Sequence, residues 1–365
     1  MKTRSFRSFV FVLILVTVCI IPADISACTG ITITAEDGSV VYGRTMELGN
    51  DLVEWGLIVI PRSTSFTGST PWGGPGASWK AKYAFTGVNA YNLPAVVDGV
   101  NEKGLAAGAF MFPNFVEYQQ ATEDQADITI SSNDFVNWVL SNYSSVEELK
   151  AGLPQIKVTP VVFDEPGWGD VPPLHWFVVD KSGAAIVVEY VNGELNIHDN
   201  PVGVITNAPM FDWHLINLKN YVQLSPDAAM TRQLGNENIT PIGRGSGMLG
   251  LPGDFTPPSR FVRAAYLKAA LIPVQNATEG IKQIFHLLNQ FDIPRGVIHL
   301  SSGDHPLSEQ TDWTSGIDLE NCRYYIHTAE TRRIHVIDLL NSPLDTTEFI
   351  NIPLPKEEVF IDLTP

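Results

Sequence analysis

Alternating apolar and polar positions near the start of the chain predict a strand hairpin. Residues 31–34 alternate apolar and hydroxyl side chains, Asp37-Gly38 forms a turn, and residues 40–44 resume the extended pattern. A different composition, rich in Gly, Ser, Thr and Pro, predicts a loop without regular structure at residues 63–77. Further strands are predicted at residues 57–60, at residues 95–111 around a turn at 101–104, at residues 176–180 and at residues 185–190.

Helical periodicity appears later in the chain. The segment that follows Ser145 begins with a capping box, Ser145-Val146-Glu147-Glu148. The other helices are predicted at residues 133–142, 213–222, 258–272 and 278–291. Runs of strands separated by runs of helices favour an α+β fold with antiparallel sheets over a doubly wound fold, and residues 28–365 are expected to form one domain.

The N-terminus has the pattern of an export signal. Lys2, Arg4 and Arg7 precede an almost continuous apolar run at residues 9–21, which is too short to span a bilayer comfortably. We therefore expect a signal peptide at residues 1–27, cleavage after Ala27, and a mature protein in the bacterial periplasm or outside the cell. No stable insertion into the membrane is expected.

Cleavage there makes Cys28 the first residue, and two interpretations of this cysteine compete. The sequence Ile25-Ser26-Ala27-Cys28 also fits a lipoprotein signal, which would make the chain a lipid-anchored envelope binding protein with a blocked thiol. A free N-terminal cysteine instead carries its own base. The pKa of its α-amine, about 8, is close enough to the thiol pKa of about 8.5 for the two groups to exchange a proton at neutral pH.

Charge and motif content exclude several other functions. The chain carries 23 Lys and Arg against 40 Asp and Glu, a net charge of −17, which disfavours nucleic acid as a partner. No H-E-x-x-H, cysteine pair or G-x-S-x-G motif occurs, so neither a metal nor another cofactor is predicted, and a serine-hydrolase elbow is missing. Cys322, in a predicted strand pair, is expected to be a buried structural thiol.

Two polar residues are candidates to support a thiol nucleophile. Arg44, at the end of the hairpin's second strand, can fold back beside Cys28 and stabilise a thiolate. Asn207, in Thr206-Asn207-Ala208-Pro209, is a candidate oxyanion donor, or else an ordinary turn residue. A set of large side chains forms either an acyl-binding pocket or plain core: Met46, Trp55, Phe110, Met111 and Phe112.

Five stretches, taken in order, resemble the choloylglycine hydrolase family, which includes bile salt hydrolases and penicillin V acylases. The resemblance covers nearly the whole mature chain. The matching stretches are Cys28-Thr29-Gly30-Ile31, Tyr42-Gly43-Arg44-Thr45-Met46-Glu47, Asp98-Gly99-Val100-Asn101-Glu102-Lys103-Gly104-Leu105, Thr206-Asn207-Ala208-Pro209-Met210-Phe211-Asp212-Trp213, and Gly250-Leu251-Pro252-Gly253-Asp254-Phe255-Thr256-Pro257-Pro258-Ser259-Arg260-Phe261.

The resemblance implies the four-layer αββα sandwich of N-terminal nucleophile hydrolases. It also implies that Cys28 is nucleophile and base, that Arg44 and Arg260 supply positive charge near the thiol, and that Asn207 is an oxyanion donor. Residues 221–250 resemble the assembly loop of bile salt hydrolase tetramers, which predicts a homotetramer.

The implied reaction is hydrolysis of a linear, non-peptide amide that carries a bulky apolar acyl group. Met46, Phe110 and Met111 are the residues expected to contact that group. Conjugated bile salts are the first expected substrate, penicillin V the second and N-acyl homoserine lactones the third.

Two positions depart from the family pattern. Glu47 stands where the family usually has Asp, a group that holds the amine of the nucleophile. Met111 stands where bile salt hydrolases have Asn and penicillin V acylases have Tyr. A family member that binds an acyl amide without cleaving it is therefore a third alternative.

Overall fold

The computed structural model describes residues 27–48, 53–166, 168–299 and 308–364. The predicted signal peptide, apart from Ala27, lies outside the described residues. The strands are β1 (Thr29–Thr34), β2 (Val40–Glu47), β3 (Trp55–Ile60), β4 (Ser65–Ser69), β5 (Pro75–Lys80), β6 (Phe85–Ala90), β7 (Val96–Asn101), β8 (Leu105–Met111), β9 (Thr129–Ser131), β10 (Lys157–Thr159), β11 (Leu174–Asp180), β12 (Ala185–Val191), β13 (Glu194–Asp199), β14 (Val204–Ile205), β15 (Arg232–Leu234), β16 (Glu237–Ile239), β17 (Ile298–His299), β18 (Ser308–Glu309), β19 (Thr311–Asp318), β20 (Arg323–Thr328), β21 (His335–Asp338) and β22 (Ile350–Pro353).

The helices are short and lie between groups of strands. The α-helices are α1 (Phe135–Asn142), α2 (Val146–Gly152), α3 (Phe211–Asn217), α4 (Pro257–Ala269) and α5 (Ala277–Leu288). Short 3-10 helices occur at Glu123–Ile128, Ser132–Asp134, Leu153–Gln155, Leu218–Tyr221, Ser246–Met248, Asn289–Phe291 and Leu339–Asn341. None of the helices in the described part of the chain combines the length and apolar character needed to cross a bilayer.

Two large antiparallel sheets form the centre of the molecule. One has six strands in the order β14-β1-β2-β19-β20-β21, and the other has eight in the order β13-β12-β11-β8-β7-β6-β3-β22. Two-stranded sheets are formed by β4 with β5, β9 with β10, β15 with β16, and β17 with β18.

Helices cover the outer face of each large sheet. The apolar face of α5 packs on the six-stranded sheet, where Ile284 and Leu288 contact Gly43 so closely that a Cβ there would lie 2.8 and 3.0 Å from them. On the other side α1 packs on the eight-stranded sheet, with Leu140 against Gly99. The layers follow one another in the order helices, sheet, sheet and helices, so the predicted four-layer α+β sandwich is confirmed.

A buried carboxylate joins the two sheets. Asp98 of β7 accepts hydrogen bonds from the hydroxyl groups of Tyr42 (2.9 Å), Ser315 (3.0 Å) and Tyr324 (2.7 Å), which belong to the six-stranded sheet. Gly108 leaves the space for this cluster, since a Cβ there would lie 2.6 Å from Asp98 Oδ1. These three hydrogen bonds tie the facing sheets to each other in the middle of the core.

Most predicted strands and helices are confirmed, but the predicted loop at residues 63–77 is wrong. This segment contains most of the hairpin formed by β4 and β5, in which Phe66 pairs with Trp79 and the two rings stack at 5.4 Å. A register shift between Thr67 and Ser69 breaks the alternation. Because the bulge and the small residues hide the period of two, the sequence pattern alone gave no strand signal.

Three predicted helices end earlier than their patterns suggest. The last turns of the segments predicted at residues 213–222 and 278–291 are 3-10 turns, and α4 stops at Ala269. Apolar side chains continue beyond each end, which is why periodicity alone placed the ends too late.

Candidate active site

Cys28 lies directly before β1 and is completely buried. Pairing of β1 with β2 sets Gly30 opposite Arg44. This register brings the Arg44 guanidinium back along the hairpin, with Nη2 3.1 Å from the Sγ of Cys28. Burial raises the pKa of the Cys28 thiol, and the charge of Arg44 opposes that rise.

The guanidinium of Arg44 is itself buried and held on several sides. Its carbon lies 4.1 Å from the ring centroid of Phe110 and 5.3 Å from that of Trp313. Its Nη1 donates to the carbonyl of Ala109, and its Nε donates to the carbonyl of Thr45 at 3.2 Å. Cation–π contacts in a desolvated site are worth about 2 kcal/mol, so this cation is fixed in place before any substrate arrives.

Asn207 follows β14, the neighbour of β1 at the edge of the six-stranded sheet. Its Oδ1 accepts the main-chain N–H of Cys28 at 2.8 Å, and its Nδ2 donates to the carbonyl of Met111 at 2.8 Å. The carboxamide is buried and therefore bridges the candidate nucleophile and the end of β8. These contacts make Asn207 part of the site, in contrast to the alternative of an ordinary turn residue.

Arg260, on α4, contacts the main chain of Cys28 and not its thiol. Its Nη1 donates to the carbonyl of Cys28 and to the hydroxyl of Thr29 at 2.9 Å, while its Nη2 donates to Asn207 Oδ1 at 2.6 Å. Of the two arginines predicted to supply positive charge near the thiol, Arg44 contacts the sulfur and Arg260 contacts the main chain of Cys28. Arg260 orients the groups around the thiol, and its charge is a smaller influence on the thiol pKa than burial or Arg44.

Two buried carboxyl groups complete the surroundings of the residue 27–28 peptide bond. Glu47, at the end of β2, accepts the hydroxyl of Thr311 at 2.9 Å, and burial raises its pKa to about 8. Glu309 accepts the main-chain N–H of Ala27, and burial raises its pKa to about 7. Glu309 could not be predicted from the sequence, because an isolated acidic residue at the end of a two-residue strand gives no local signal.

An apolar pocket opens onto Cys28. The space between its walls, with the open solvent at its mouth included, is about 850 Å³. No charged side chain of the described residues lines it. The lining consists of Cys28, Met46, Leu48, Val53, Trp55, Ala90, Leu93, Ala95, Val96, Val97, Ala109, Met111, Ser132, Asn133, Val136, Phe163, Trp168, Pro172 and Leu174.

The structure places two of the three predicted substrate-contacting residues in this lining. Met46 and Met111 line the pocket, whereas Phe110 lies outside its lining. Successive residues of a strand point to opposite faces of a sheet. Ala109 and Met111 of β8 thus face the pocket, while Phe110 is buried beneath Arg44.

Phe112 lies outside the pocket as well, stacked on His175 at 4.5 Å, whereas Trp55 lines it. The remaining lining residues were missed by the sequence analysis. The period of two in β8 could have indicated Ala109, but Phe163 and Trp168 belong to a segment without any periodic pattern.

Across the described ranges, no group of three or more His, Cys, Asp or Glu side chains is arranged to hold a metal ion. Cys322, the other described cysteine, is buried, as predicted, in the turn between β19 and β20.

Comparisons with known proteins agree with this architecture. A crystal structure of a mutant of the conjugated bile acid hydrolase from Clostridium perfringens superimposes with a TM-score of 0.81 and 34% identity, covering 92% of this chain and 100% of that one. The penicillin V acylase from Agrobacterium tumefaciens superimposes with a TM-score of 0.70 and 26% identity, covering 90% and 92% of the two chains.

Sequence relatives give the same grouping. The bile salt hydrolase/transferase of Clostridium perfringens is 36% identical over 326 residues, which are 88% of this chain and 95% of that protein. The family described as linear amide C–N hydrolases, choloylglycine hydrolase family, matches residues 28–352. The fold, the buried cysteine at the pocket and these matches together show that the chain belongs to the choloylglycine hydrolase family and is a linear amide C–N hydrolase.

Proposed function

We propose that this enzyme hydrolyses conjugated bile salts and that Cys28, freed by removal of residues 1–27, is its nucleophile. The observation that carries the proposal is the position of the Cys28 sulfur, 3.1 Å from a buried guanidinium and at the wall of an apolar pocket. A cation at that distance favours the thiolate, which is the reactive form of cysteine.

In the proposed reaction the Sγ of Cys28 attacks the amide carbonyl of the substrate. The α-amine of Cys28 takes the thiol proton and passes it to the leaving amine, so that a thioester and a free amine result. Water then hydrolyses the thioester, which releases the acid and restores the thiol.

Asn207 is the proposed oxyanion donor. A carboxamide has two N–H groups, and one of those on Nδ2 bonds to Met111, which leaves the second for the developing oxyanion. Arg260 holds Oδ1 of the same carboxamide, so the amide cannot flip without losing a charge-assisted hydrogen bond. Glu47 is proposed to hold the α-amine once Ala27 has been removed.

The acyl group is proposed to occupy the pocket. Apart from Cys28, its polar lining residues are Ser132 and Asn133, so a large hydrocarbon skeleton gains most from binding there. A steroid acid meets that requirement, and the relatives named as bile salt hydrolases favour it. Penicillin V is the second candidate, because a penicillin V acylase shares the fold at 26% identity.

Export and processing belong to the same proposal. Residues 1–27 are proposed to direct the chain to the periplasm or the exterior and then to be removed. Intact mass of the mature protein separates this proposal from the lipid-anchored alternative, since a diacylglyceryl adduct on Cys28 adds a defined mass.

We further propose a homotetramer assembled through residues 221–250. This segment includes the hairpin of β15 and β16, all of whose residues are exposed. Several large apolar side chains in it face solvent in the single chain, namely Val222, Met230, Leu234, Ile239, Ile242 and Leu249. Exposed apolar clusters of this kind mark protein interfaces.

The deciding experiment is a substrate panel on processed protein. Glycocholate, taurocholate, penicillin V and an N-acyl homoserine lactone are each incubated with the enzyme, and the released amine is measured. We expect bile salts to be cleaved with the highest kcat/KM. Cleavage of penicillin V alone would replace the proposed substrate with the second candidate, and no cleavage of any compound would support the non-hydrolysing alternative.

The variant that tests the proposed nucleophile is Cys28→Ser. Loss of a nucleophile lowers kcat by several orders of magnitude, and we expect a fall of at least about 10³-fold with unchanged thermal unfolding. Full turnover in this variant would contradict the assignment of Cys28.

A further inference from the structure

Two buried histidines hold the main chain of Asn207 and of its neighbour. The Nε2 of His214 lies 3.0 Å from the carbonyl oxygen of Asn207, and the Nε2 of His175 lies 3.1 Å from the carbonyl oxygen of Thr206. Both carbonyls can only accept hydrogen bonds, so each histidine donates from Nε2. The main chain that carries the carboxamide is thus held at two consecutive carbonyl groups.

His214 is present as the neutral imidazole. Burial lowers its pKa to about 4, and its Nδ1 has no hydrogen-bond partner among the described residues. A neutral ring with hydrogen on Nε2 satisfies both observations. Its single N–H is therefore committed to Asn207 and is independent of pH over the neutral range.

The ring of His214 is oriented by the same helix that orients the carboxamide. It stacks on Phe261 at 4.6 Å with an interplanar angle of 17°. Phe261 follows Arg260 on α4, and Arg260 binds the Oδ1 of Asn207. Adjacent residues of α4 therefore set the side chain of Asn207 directly and its main chain through His214.

The start of α3, which carries His214, is anchored as well. Glu189 accepts the main-chain N–H of Phe211 at 3.0 Å and lies 3.2 Å from the Nδ1 of His175. His175 and His214 thus hold consecutive carbonyls, and Glu189 ties both histidines to one buried carboxylate.

We propose that His214 is a positioning residue for the oxyanion site: its Nε2–H holds the Asn207 carbonyl and thereby aims the Asn207 carboxamide at the developing oxyanion. This inference rests on the proposed role of Asn207. Groups that orient a catalytic side chain without touching the substrate change rates by about 10- to 100-fold, because a small misplacement of an oxyanion donor is costly.

The test compares two reactions of Cys28. Acylation by p-nitrophenyl acetate passes through an oxyanion, whereas alkylation by iodoacetamide is a direct displacement without one. In His214→Phe, which keeps the ring stack but has no N–H, we expect acylation to slow by about 10- to 100-fold and alkylation to stay within about twofold of the wild type. In His214→Gln, whose Nε2 can donate from a similar position, we expect most of the acylation rate to return.

His327→Phe is the matched control. His327 is also buried, with its pKa lowered to about 4 by burial and its ring 5.3 Å from that of Phe285, but it does not contact Asn207. It should lose comparable stability in thermal unfolding and keep both rates. If His214→Phe slows acylation and alkylation equally, or His327→Phe slows acylation as much, the role of His214 is only structural and the inference is wrong.

Failure of the proposed function gives a different result. If Asn207→Ala acylates at the wild-type rate, the oxyanion assignment itself fails. If Asn207→Ala is slow and His214→Phe is not, the proposed function stands and only the inference about His214 is overturned. In the double variant we expect no further loss beyond Asn207→Ala, since His214 acts through that carboxamide.

Discussion

Burial and charge act in opposite directions on the thiol of Cys28. Burial alone raises its pKa and would leave a poorly reactive thiol, while the guanidinium of Arg44 lowers it. Arg44 can do this from a buried position because Phe110, Trp313 and two carbonyl groups hold it. The reactivity of Cys28, the proposed nucleophile, therefore depends chiefly on Arg44, a cation whose own desolvation is offset by its surroundings.

Replacement of Arg44 by Met should raise the thiol pKa, since a nearby opposite charge typically shifts a pKa by about 1–3 units. We expect alkylation of Cys28 by iodoacetamide at pH 7 to slow by at least about tenfold, with a similar fall in kcat/KM. Arg44→Lys keeps the charge but lacks the planar guanidinium, and it should lose less of the alkylation rate and of kcat/KM. An alkylation rate in Arg44→Met equal to that of the wild type would remove Arg44 from the mechanism.

Glu47 should make stability depend on pH. Its pKa is about 8 in the folded chain against an ordinary 4.5, so the folded state binds a proton that the unfolded state releases between these values. The stability from this group is complete below pH 4.5 and is lost as pH rises through 8.

In the chain that retains Ala27, we expect the free energy of unfolding to decrease between pH 5 and pH 8.5, by an amount on the order of 2–4 kcal/mol. Glu47→Gln cannot ionise and should flatten the curve in urea titrations, with a residual slope from Glu309, whose pKa is about 7. Parallel curves for the two proteins would mean that Glu47 is already ionised in the folded state at pH 5.

At the level of the element, the two faces of strand β8 have different neighbours, because successive side chains of a strand point to opposite faces of the sheet. Ala109 and Met111 line the pocket, and Phe110 between them supports Arg44 from the other face. We therefore expect side chains one position apart on this strand to affect substrate selectivity and thiol reactivity separately.

Met111→Ala should change the ratio of kcat/KM values for a bulky and a small acyl group by about tenfold, because one or two methylene groups of pocket contact are worth roughly 1–3 kcal/mol. Phe110→Leu should instead slow every substrate by the same factor and lower stability by about 1–2 kcal/mol. Steady-state kinetics with two acyl lengths measures both effects. Equal ratios in all three proteins would contradict the division of roles along β8.

Local pattern predicted the elements that carry the site better than it predicted the site itself. The hairpin of β1 and β2, the pair β7 and β8, and helices α4 and α5 all follow from periodicity and turn residues. Cys28, Arg44 and Asn207 could be singled out from the residues alone, because a processing site, a strand register and a turn are local features. Arg260 and Glu47 needed the family resemblance.

The remaining site residues depend on contacts between distant parts of the chain. Glu309 reaches Ala27 across 282 positions, and Phe163 and Trp168 reach the pocket from a segment without periodicity. These contacts form only when the loops close and the sheets pack, and the residues on either side of each position give no sign of them. His214 likewise shows only the pattern of a helix residue until the carbonyl of Asn207 is in place.

At the scale of the whole molecule, the proposed tetramer depends on apolar side chains of residues 221–250 that are exposed in the single chain. Leu234→Glu together with Ile239→Glu should convert the tetramer to smaller species in sedimentation velocity. Both side chains are exposed, so thermal unfolding of the separated chain should change little. Ile272→Glu, another exposed apolar position, is the control and should remain tetrameric. A wild-type monomer, or a tetramer that survives the double substitution, would contradict this assembly.

The two sheets contribute unequally to the site. Cys28, Arg44, Glu47 and Asn207 lie on or next to strands β14, β1 and β2 of one sheet, whereas β3, β6, β7, β8 and β11 of the other supply much of the apolar pocket. Variants of this fold can therefore change substrate specificity through substitutions in the eight-stranded sheet while the residues around Cys28 stay the same. A library confined to the pocket-facing positions of these five strands would explore that diversity without repeatedly destroying catalysis.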